Sequence, residues 1–168
     1  MTPVIVVMGV SGSGKSTLGA ALASRLDATF LEGDAFHPPE NVAWMSAGNP
    51  LTDEMRWPWQ SALATEATRL RTSGQAVVIS CSALKKSYRD HLRARAAPLT
   101  FLYLSVPEGE LKTRMEGRRN HYMPPALLTS QLATLEPPGA TETDCVRLSG
   151  DLSKAHLLRL ALKAVGHG

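Results

Sequence analysis

The feature that most constrains this chain is the glycine-rich segment GVSGSGKS at residues 9–16. It fits G-x-x-x-x-G-K-[ST] at every fixed position, and it lies between the apolar run VIVVM and a segment of helical periodicity over residues 17–26. Glycines let successive backbone N–H groups point inward, and the start of the following helix adds partial positive charge. The segment predicts a P-loop that binds a nucleoside triphosphate, with Lys15 bridging the β- and γ-phosphates and Ser16 ligating Mg²⁺. The alternative is a glycine-rich turn with an incidental lysine.

Length and composition indicate an ordinary globular chain. With 168 residues, 43% of them hydrophobic and 20% charged, we expect one domain over residues 1–168. No apolar run approaches the roughly 20 residues of a membrane span, and the run at 4–8 lacks a preceding basic region, so we expect a cytoplasmic protein with no membrane association. The net charge of +3 suits an anionic ligand but does not by itself indicate nucleic acid. Cys81 and Cys145 form no CxxC pair and are expected to be buried apolar residues.

The alternation of apolar runs and turn signals predicts an α/β fold. Five β-branched or apolar runs predict parallel strands buried on both faces, at residues 4–8, 29–31, 76–81, 99–104 and 145–148. Periodicity and capping residues predict helices at about residues 17–26, 38–48, 52–74, 82–96, 107–116, 125–135 and 153–165.

An acidic segment, FLEGDAFHP at residues 30–38, follows the second predicted strand. The carboxyl ends of strands in α/β proteins bind ligands, so Glu32, Asp34 and His37 are candidate site residues. We assign Asp34 to the acceptor hydroxyl, as orienting group and proton acceptor, and Glu32 to Mg²⁺ through water. The alternative is a solvated acidic turn.

Two later segments carry candidate cations. In PLTDEMRWPW, residues 50–59, Arg56 is either a carboxylate-binding residue or a packed surface residue, and the two tryptophans are expected to pack. In CSALKKSYRD, residues 81–90, Lys85 and Arg89 are spaced by four and are expected to reach the site from one helix face. Arg93, one turn further along, is expected to be a solvated charge. The strand before this segment ends without an aspartate, so the metal-supporting role falls on the acidic segment.

The segment RMEGRRNHYMPP, residues 114–125, is a candidate lid over the P-loop. Its basic residues, Arg114, Arg118, Arg119 and His121, could neutralise charge on a migrating phosphoryl group and keep water out. A nucleic-acid-binding or simply solvated patch is the alternative. Aromatic residues make up only 5% of the chain, and no interleaved base-stacking motif is present, which disfavours nucleic acid as a partner.

These features favour a small phosphotransferase over other P-loop proteins. No N-K-x-D segment is present to read guanine, and the chain is short for a motor or helicase core. The P-loop, GDAFHP, PLTDEMRWPW, CSALKKSYRD and HYMPPALLTSQLATLEPP, in this order, resemble the P-loop gluconokinases over residues 4–165. Shikimate kinase and nucleoside monophosphate kinase are the nearest alternatives.

The resemblance implies ATP- and Mg²⁺-dependent phosphorylation of D-gluconate at its 6-hydroxyl, giving 6-phospho-D-gluconate and ADP. It also implies a five-stranded parallel sheet of order 2-3-1-4-5 flanked by helices in a three-layer sandwich, a mobile lid over about residues 114–135, and a homodimer. Where relatives often have Asp, this chain has Glu32.

The residues and the resemblance together give the predicted site. The predicted catalytic residues are Lys15, Asp34 and Arg118. The predicted ATP-binding residues are Gly9, Val10, Ser11, Gly12, Ser13, Gly14, Lys15, Ser16, Thr17, Arg114 and Arg118. The predicted gluconate-binding residues are Asp34, His37, Arg56, Lys85, Arg89 and His121. The predicted metal-binding residues are Ser16 and Glu32, the latter through water.

Overall fold

A computed structural model describes residues 2–117 and 126–167 of the chain. Its sheet has five parallel strands in the order β2-β3-β1-β4-β5, which confirms the predicted order. The strands are β1 (Val4–Met8), β2 (Thr29–Glu32), β3 (Val77–Ser80), β4 (Leu99–Ser105) and β5 (Cys145–Ser149). All five predicted strands are present, and their ends agree within one residue.

Helices cover both faces of the sheet. They are α1 (Lys15–Leu26), α2 (Pro39–Ser46), α3 (Asp53–Thr72), α4 (Lys86–Ala96), α5 (Glu108–Glu116), α6 (Ala126–Thr134) and α7 (Lys154–Ala164). Alternate residues of β1 point to opposite sides: Val4 and Val6 pack with α3 and α4, whereas Ile5 and Val7 pack with α1 and α7. The result is the three-layer arrangement expected of a parallel sheet. Among the described residues, no helix is long and apolar enough to cross a membrane.

The sequence predicts that every strand is buried on both faces, but the edge strand β5 is not. Only Leu148 of this strand is buried, and Val146 is exposed. Among the described residues, this strand pairs with β4 alone and lies at the edge of the sheet. The apolar run in the sequence therefore corresponds to one buried residue in an edge strand, and not to a central strand.

Because the strands are parallel, their carboxyl ends meet at one edge of the sheet. The P-loop follows β1 at the centre of this edge. A short 3₁₀ turn, Gly33–Phe36, follows β2 and carries Asp34, where the sequence predicted only a loop. Helix α3 begins at a Thr52 cap, whose Oγ1 accepts a hydrogen bond from the Met55 N–H at 3.2 Å, and runs beside this turn. The fold therefore brings three separate segments to one location.

Two arginines of α4 form ion pairs with the segment that precedes β5. Arg89 is fully buried, and its Nε and Nη2 donate to the Glu142 carboxylate at 2.7 and 2.8 Å. Arg93, predicted to be solvated, is instead half-buried, with ion pairs to Asp90, Glu142 and Asp144. The network attaches α4 to the segment that leads into β5.

The cysteines differ from each other. Cys81 is buried as predicted, and burial raises the pKa of its thiol to about 12. Cys145 is only half-buried, and its sulfur lies 3.6 Å from both Asp144 and Arg93. The expectation of full burial is therefore wrong for Cys145, which packs against the core on one side but opens the edge strand beside the ionic network.

Candidate active site

The P-loop has the backbone geometry that its glycines allow. Gly12 and Gly14 have positive φ of 84° and 95°, and Gly14 is the N-cap of α1 in the left-handed conformation. A Cβ on Gly14 would meet nothing within 4 Å, so conformation rather than space requires glycine there. A Cβ on Gly9, by contrast, would lie 2.6 Å from Ser13 Oγ. The Lys15 ammonium donates to the Val10 carbonyl at 3.1 Å, within the loop.

A cleft of about 320 Å³ opens over one side of the P-loop. Residues from the loop, the acidic turn after β2, helix α3 and helix α6 surround it. They include Ser11, Gly12, Gly14, Lys15, Ser16, Thr17, Glu32, Asp34, His37, Met45, Pro50, Leu51, Arg56, Trp59, Ser82, Leu127, Ser130 and Gln131. Predicted phosphate-binding residues, the acidic residues Glu32 and Asp34, and the cation Arg56 thus face one shared space.

A second cavity, of about 750 Å³, lies on the other side of the same loop. It is bounded by residues 12–14 of the P-loop, by α1, by Arg114 and by residues 150–158 after β5. The sequence reading did not identify this cavity, because the segment after β5 carries no motif of its own. Only the parallel sheet brings that segment beside the loop.

The turn that carries Asp34 is fixed at its first residue. The Gly33 N–H donates to Ser80 Oγ at 3.1 Å, and the Gly33 carbonyl accepts from Trp59 Nε1 at 2.8 Å. A Cβ on Gly33 would clash with the Ser80 carbonyl, so only glycine fits against β3 here. Asp34 follows directly, with its side chain at the mouth of the cleft and half-exposed. Trp59, expected only to pack, therefore also orients the acidic turn.

His37 stands at the end of this turn, with its side chain buried. Its ring stacks on Trp59 with centroids 4.0 Å apart, and its Nδ1 lies 3.3 Å from Asn41 Nδ2. Burial lowers the pKa of His37 to about 4, although the nearby Asp34 carboxylate acts in the opposite direction. The imidazole is accordingly neutral at pH 7.

Arg56 is a buried cation in the wall of the cleft. The residue is 6% exposed, its guanidinium lies 4.8 Å above the Tyr88 ring, and Nη2 donates weakly to the Leu51 carbonyl at 3.4 Å. Its Nε has no hydrogen-bond partner, and no carboxylate of the described residues forms an ion pair with it. Burial lowers the pKa of Arg56, although Tyr88 and the Asp53 carboxylate act in the opposite direction. A buried cation without a paired anion is costly, which favours an anionic ligand at this position.

Two other predicted cations are placed differently. Lys85 lies 3.5 Å from Asp53, which also accepts a hydrogen bond from Tyr88, and it is not among the residues that line the cleft. Arg89 points into the protein and is saturated by Glu142 and by the carbonyls of residues 83, 84 and 136. The predicted role of Arg89 in binding substrate does not fit this placement.

Glu32 and Ser16 supply oxygen atoms to the same cleft. Glu32 Oε1 accepts a hydrogen bond from Ser80 Oγ at 2.6 Å, so the residue at the end of β3 orients this carboxylate. Within residues 2–117 and 126–167, no group of three or more His, Cys, Asp or Glu could hold a metal by itself. One hydroxyl and one carboxylate nevertheless fit Mg²⁺, which keeps several waters and is completed by substrate phosphates.

The predicted lid is described in part. Arg114 donates to the carbonyls of Gly12 at 3.1 Å and Gly150 at 2.9 Å. It therefore connects the P-loop to the segment after β5, beside the second cavity. Gln131 on α6, which the sequence reading did not single out, accepts a hydrogen bond from the Ser11 N–H at 2.7 Å. Arg118, Arg119 and His121 lie outside the described residues.

The chain has a P-loop between β1 and α1 that faces an acidic turn across one cleft. This arrangement places it in the class of P-loop phosphotransferases. A family model described as "AAA domain" matches residues 4–138. A gluconokinase of Gluconobacter oxydans is 48% identical over 88% of this chain and 82% of its own length. The chain therefore belongs to the family with this domain and, more narrowly, to the gluconokinase family, which confirms the resemblance seen in its motifs.

Solved structures agree with this assignment. A gluconokinase from Sinorhizobium meliloti 1021 is 48% identical with a TM-score of 0.86, covering 98% of this chain and 91% of the other. A sugar kinase from Janibacter sp. HTCC2649 is 43% identical with a TM-score of 0.94, covering 100% and 96%. The fold of this chain is thus shared along nearly its whole length with enzymes of this kind.

Proposed function

We propose that this chain transfers the γ-phosphoryl group of ATP to the 6-hydroxyl of D-gluconate, giving 6-phospho-D-gluconate and ADP. The observation that carries the proposal is the cleft itself, where Lys15 of the P-loop, the Asp34 carboxylate and the buried Arg56 cation face one space. A phosphate site, a hydroxyl-orienting group and a carboxylate receptor are the three requirements of a sugar-acid kinase. The similarity to gluconokinases supports the same substrate.

The nucleotide is proposed to bind across the P-loop. The loop amides and Lys15 hold the β- and γ-phosphates at the edge of the cleft, and the second cavity beyond Gly12–Gly14 has room for the nucleoside. Thr17 and Arg114 border that cavity, which supports their predicted contacts with ATP. Mg²⁺, when bound through Ser16 and through water on Glu32, would neutralise charge on the β- and γ-phosphates.

Asp34 is proposed to orient the acceptor hydroxyl and to take its proton as the phosphoryl group moves. The transition state of phosphoryl transfer is loose, so most of the acceleration comes from positioning and from charge stabilisation. The Gly33 hydrogen bonds to Ser80 and Trp59 hold Asp34 in place for this task.

Arg56 is proposed to bind the gluconate carboxylate. The substrate anion would supply the partner that this buried guanidinium lacks among the described residues, in the planar geometry that a guanidinium prefers. Lys85, held by Asp53 outside the cleft, would act at most at longer range. The shikimate kinase and nucleoside monophosphate kinase alternatives are not favoured, because the similar proteins over most of the chain are gluconokinases.

Four broader features are proposals of the same kind. The chain would act as one domain, as a homodimer and in the cytoplasm, with residues 114–135 as a lid. The contacts of Arg114 and Gln131 with the P-loop support the lid assignment for the described parts of that segment. Light scattering coupled to size-exclusion chromatography tests the dimer directly.

The substrate is tested by an acceptor panel. ADP release with Mg-ATP would be measured against gluconate, shikimate, AMP and CMP at equal concentrations. We expect gluconate to be the preferred acceptor and 6-phospho-D-gluconate to be the product identified by NMR. Preference for any other acceptor would overturn the assignment.

A further inference from the structure

The amide of Asn41 has only one orientation that satisfies its surroundings. Asn41 is 2% exposed on α2, and its Nδ2 lies 3.1 Å from the Met55 carbonyl and 3.3 Å from His37 Nδ1. A carbonyl oxygen can only accept a hydrogen bond, so the amide nitrogen must face Met55. The second hydrogen of the same NH₂ group is then directed at the imidazole.

This contact determines which ring nitrogen of His37 carries the proton. Since Nδ1 receives a hydrogen from Asn41, it must offer its lone pair, and the proton of the neutral ring is on Nε2. Burial keeps the ring neutral at pH 7, because it lowers the pKa of His37 to about 4. Stacking on Trp59, which is itself held by the Gly33 carbonyl, fixes the plane of the ring.

His37 lines the cleft, and its Nε2 lies on the side of Asp34. Nε2 lies 3.9 Å from Asp34 Oδ1, too far for a hydrogen bond but close enough for one group to contact both. An alcohol suits such a gap, because its oxygen accepts from Nε2–H while its own proton is given to a carboxylate. The opposite tautomer would present two acceptors to one hydroxyl proton.

We propose that Asn41 is a positioning residue that holds His37 in the Nε2–H tautomer, so that the imidazole donates a hydrogen bond to a hydroxyl oxygen of the acceptor beside Asp34. The inference rests on the proposed function and adds to it the means by which a polyol is recognised. It also distinguishes two roles in the acidic turn: Asp34 accepts the hydroxyl proton, whereas His37 donates a hydrogen bond and keeps its own proton.

The tautomer can be measured in the wild-type protein without substrate. In ¹⁵N-histidine-labelled protein at pH 7, the imidazole shifts of His37, assigned by comparison with His37→Gln, should report a protonated Nε2 and an unprotonated Nδ1. A protonated Nδ1 on a neutral ring would overturn the proposal. This measurement is independent of whether gluconate is the substrate, which wild-type turnover decides separately.

The coupling is tested with Asn41→Asp and His37→Gln, alone and combined. A carboxylate at position 41 only accepts, so it should raise the pKa of His37 and, once the ring is neutral, move the proton to Nδ1. The other charged groups that act on this ring among the described residues are Asp34 and Arg56, and neither is changed. Asn41→Asp should therefore acquire a new pH dependence in gluconate kcat/KM. Activity should fall about 10-fold as pH rises through the new His37 pKa, the scale of one lost hydrogen bond.

His37→Gln provides the matched background, since its amide nitrogen can take the place of Nε2–H and has no tautomer. There Asn41→Asp should cause no pH-dependent loss, and the KM for ATP should stay unchanged in all variants. An equal loss in both backgrounds, or a loss with no pH dependence, would show that Asn41 only supports the fold. If Asn41→Asp proves unfolded by thermal melting, the ¹⁵N measurement on the wild type still decides the proposal.

Discussion

At the scale of single residues, burial distinguishes the arginines better than spacing does. Arg56 and Arg89 are both buried, yet Arg89 has a carboxylate and three carbonyls around it, whereas Arg56 has one weak bond to a carbonyl and a ring beneath it. The hydrogen bonds of Arg89 are complete without a ligand, whereas those of Arg56 are not. This difference supports the proposal that Arg56 binds the substrate, and it makes Arg89 part of the fold.

Arg56→Gln should raise the gluconate KM by about 10²-fold or more, as expected when one partner of a buried charge pair is removed. The KM for ATP should change little, because Arg56 does not line the second cavity, which we propose to hold the nucleoside. Initial rates with each substrate varied in turn measure the effect. Lys85→Gln is the matched control and should stay within a few-fold of wild type; an unchanged gluconate KM in Arg56→Gln would contradict the assignment.

Asp34→Asn should lower kcat by roughly 10² or more, the scale for losing a positioned general base. The amide keeps the shape of the side chain but cannot take the proton of the acceptor hydroxyl. Steady-state kcat compared with Glu40→Gln, an equivalent change at an exposed position of α2, isolates the effect. Near-wild-type kcat with an unchanged melting temperature would remove Asp34 from catalysis.

At the scale of elements, α6 contacts the P-loop both by packing of Leu128 in the same apolar cluster as Val10 and by a hydrogen bond from the loop to Gln131. Gln131 Oε1 accepts a hydrogen bond from the Ser11 N–H, which belongs to the loop that we propose to hold phosphate. A negative charge there would oppose the triphosphate in a partly water-excluded site. We therefore expect the position of α6 to affect nucleotide binding as well as packing.

Gln131→Glu should raise the KM for ATP about 10-fold or more and leave the gluconate KM less affected. Gln75→Glu introduces the same charge at an exposed turn and should change neither constant. Nucleotide titrations by calorimetry and initial rates provide the two readouts. Equal effects of the two variants on ATP would exclude a specific contact of Gln131 with the phosphate site.

The ionic network between α4 and β5 gives a prediction about stability. Hydrogen bonds from Arg89 lower the pKa of Glu142 to about 2, well below the ordinary value of 4.5. A carboxyl with a lowered pKa stabilises the folded state above its unfolded pKa, and that stabilisation is lost as pH falls from about 4.5 toward 2.

Glu142→Gln should therefore lower the free energy of unfolding by about 3–5 kcal/mol at pH 7, because it leaves buried Arg89 without its anion. The difference from wild type should shrink as the pH is lowered toward 2 in urea titrations. Glu66→Gln, which removes an exposed ion pair on α3, should have no measurable effect. A pH-independent difference would show that the charge of Glu142 is not the cause.

The elements were largely predictable, and the contacts between them were not. The strand bounds follow from local apolar runs, and the P-loop from a motif of eight residues. The partner of Arg89 is Glu142, 53 residues away, and nothing local distinguishes this helix face from one that faces a ligand. Trp59 and Ser80 were missed as site residues for the same reason, since they act through Gly33 from other elements.

At the scale of the whole molecule, the parallel sheet explains how two substrates meet. Cavities on either side of the P-loop share Gly12 and Gly14, so a nucleotide in one and an acceptor in the other would meet at the phosphates. Arg56 lines the cleft from α3, and its separation from Asp34 would set the length of sugar acid that fits between them. The net charge of +3 suits two anionic substrates.

The most direct test of this account is a crystal structure with gluconate and a non-hydrolysable ATP analogue bound together. The account predicts the 6-hydroxyl oxygen within about 2.6–3.2 Å of an Asp34 carboxylate oxygen, in line with the γ-phosphorus, and the gluconate carboxylate on Arg56. Gluconate bound in the opposite direction, or with every hydroxyl beyond hydrogen-bond reach of Asp34 in the closed complex, would contradict it.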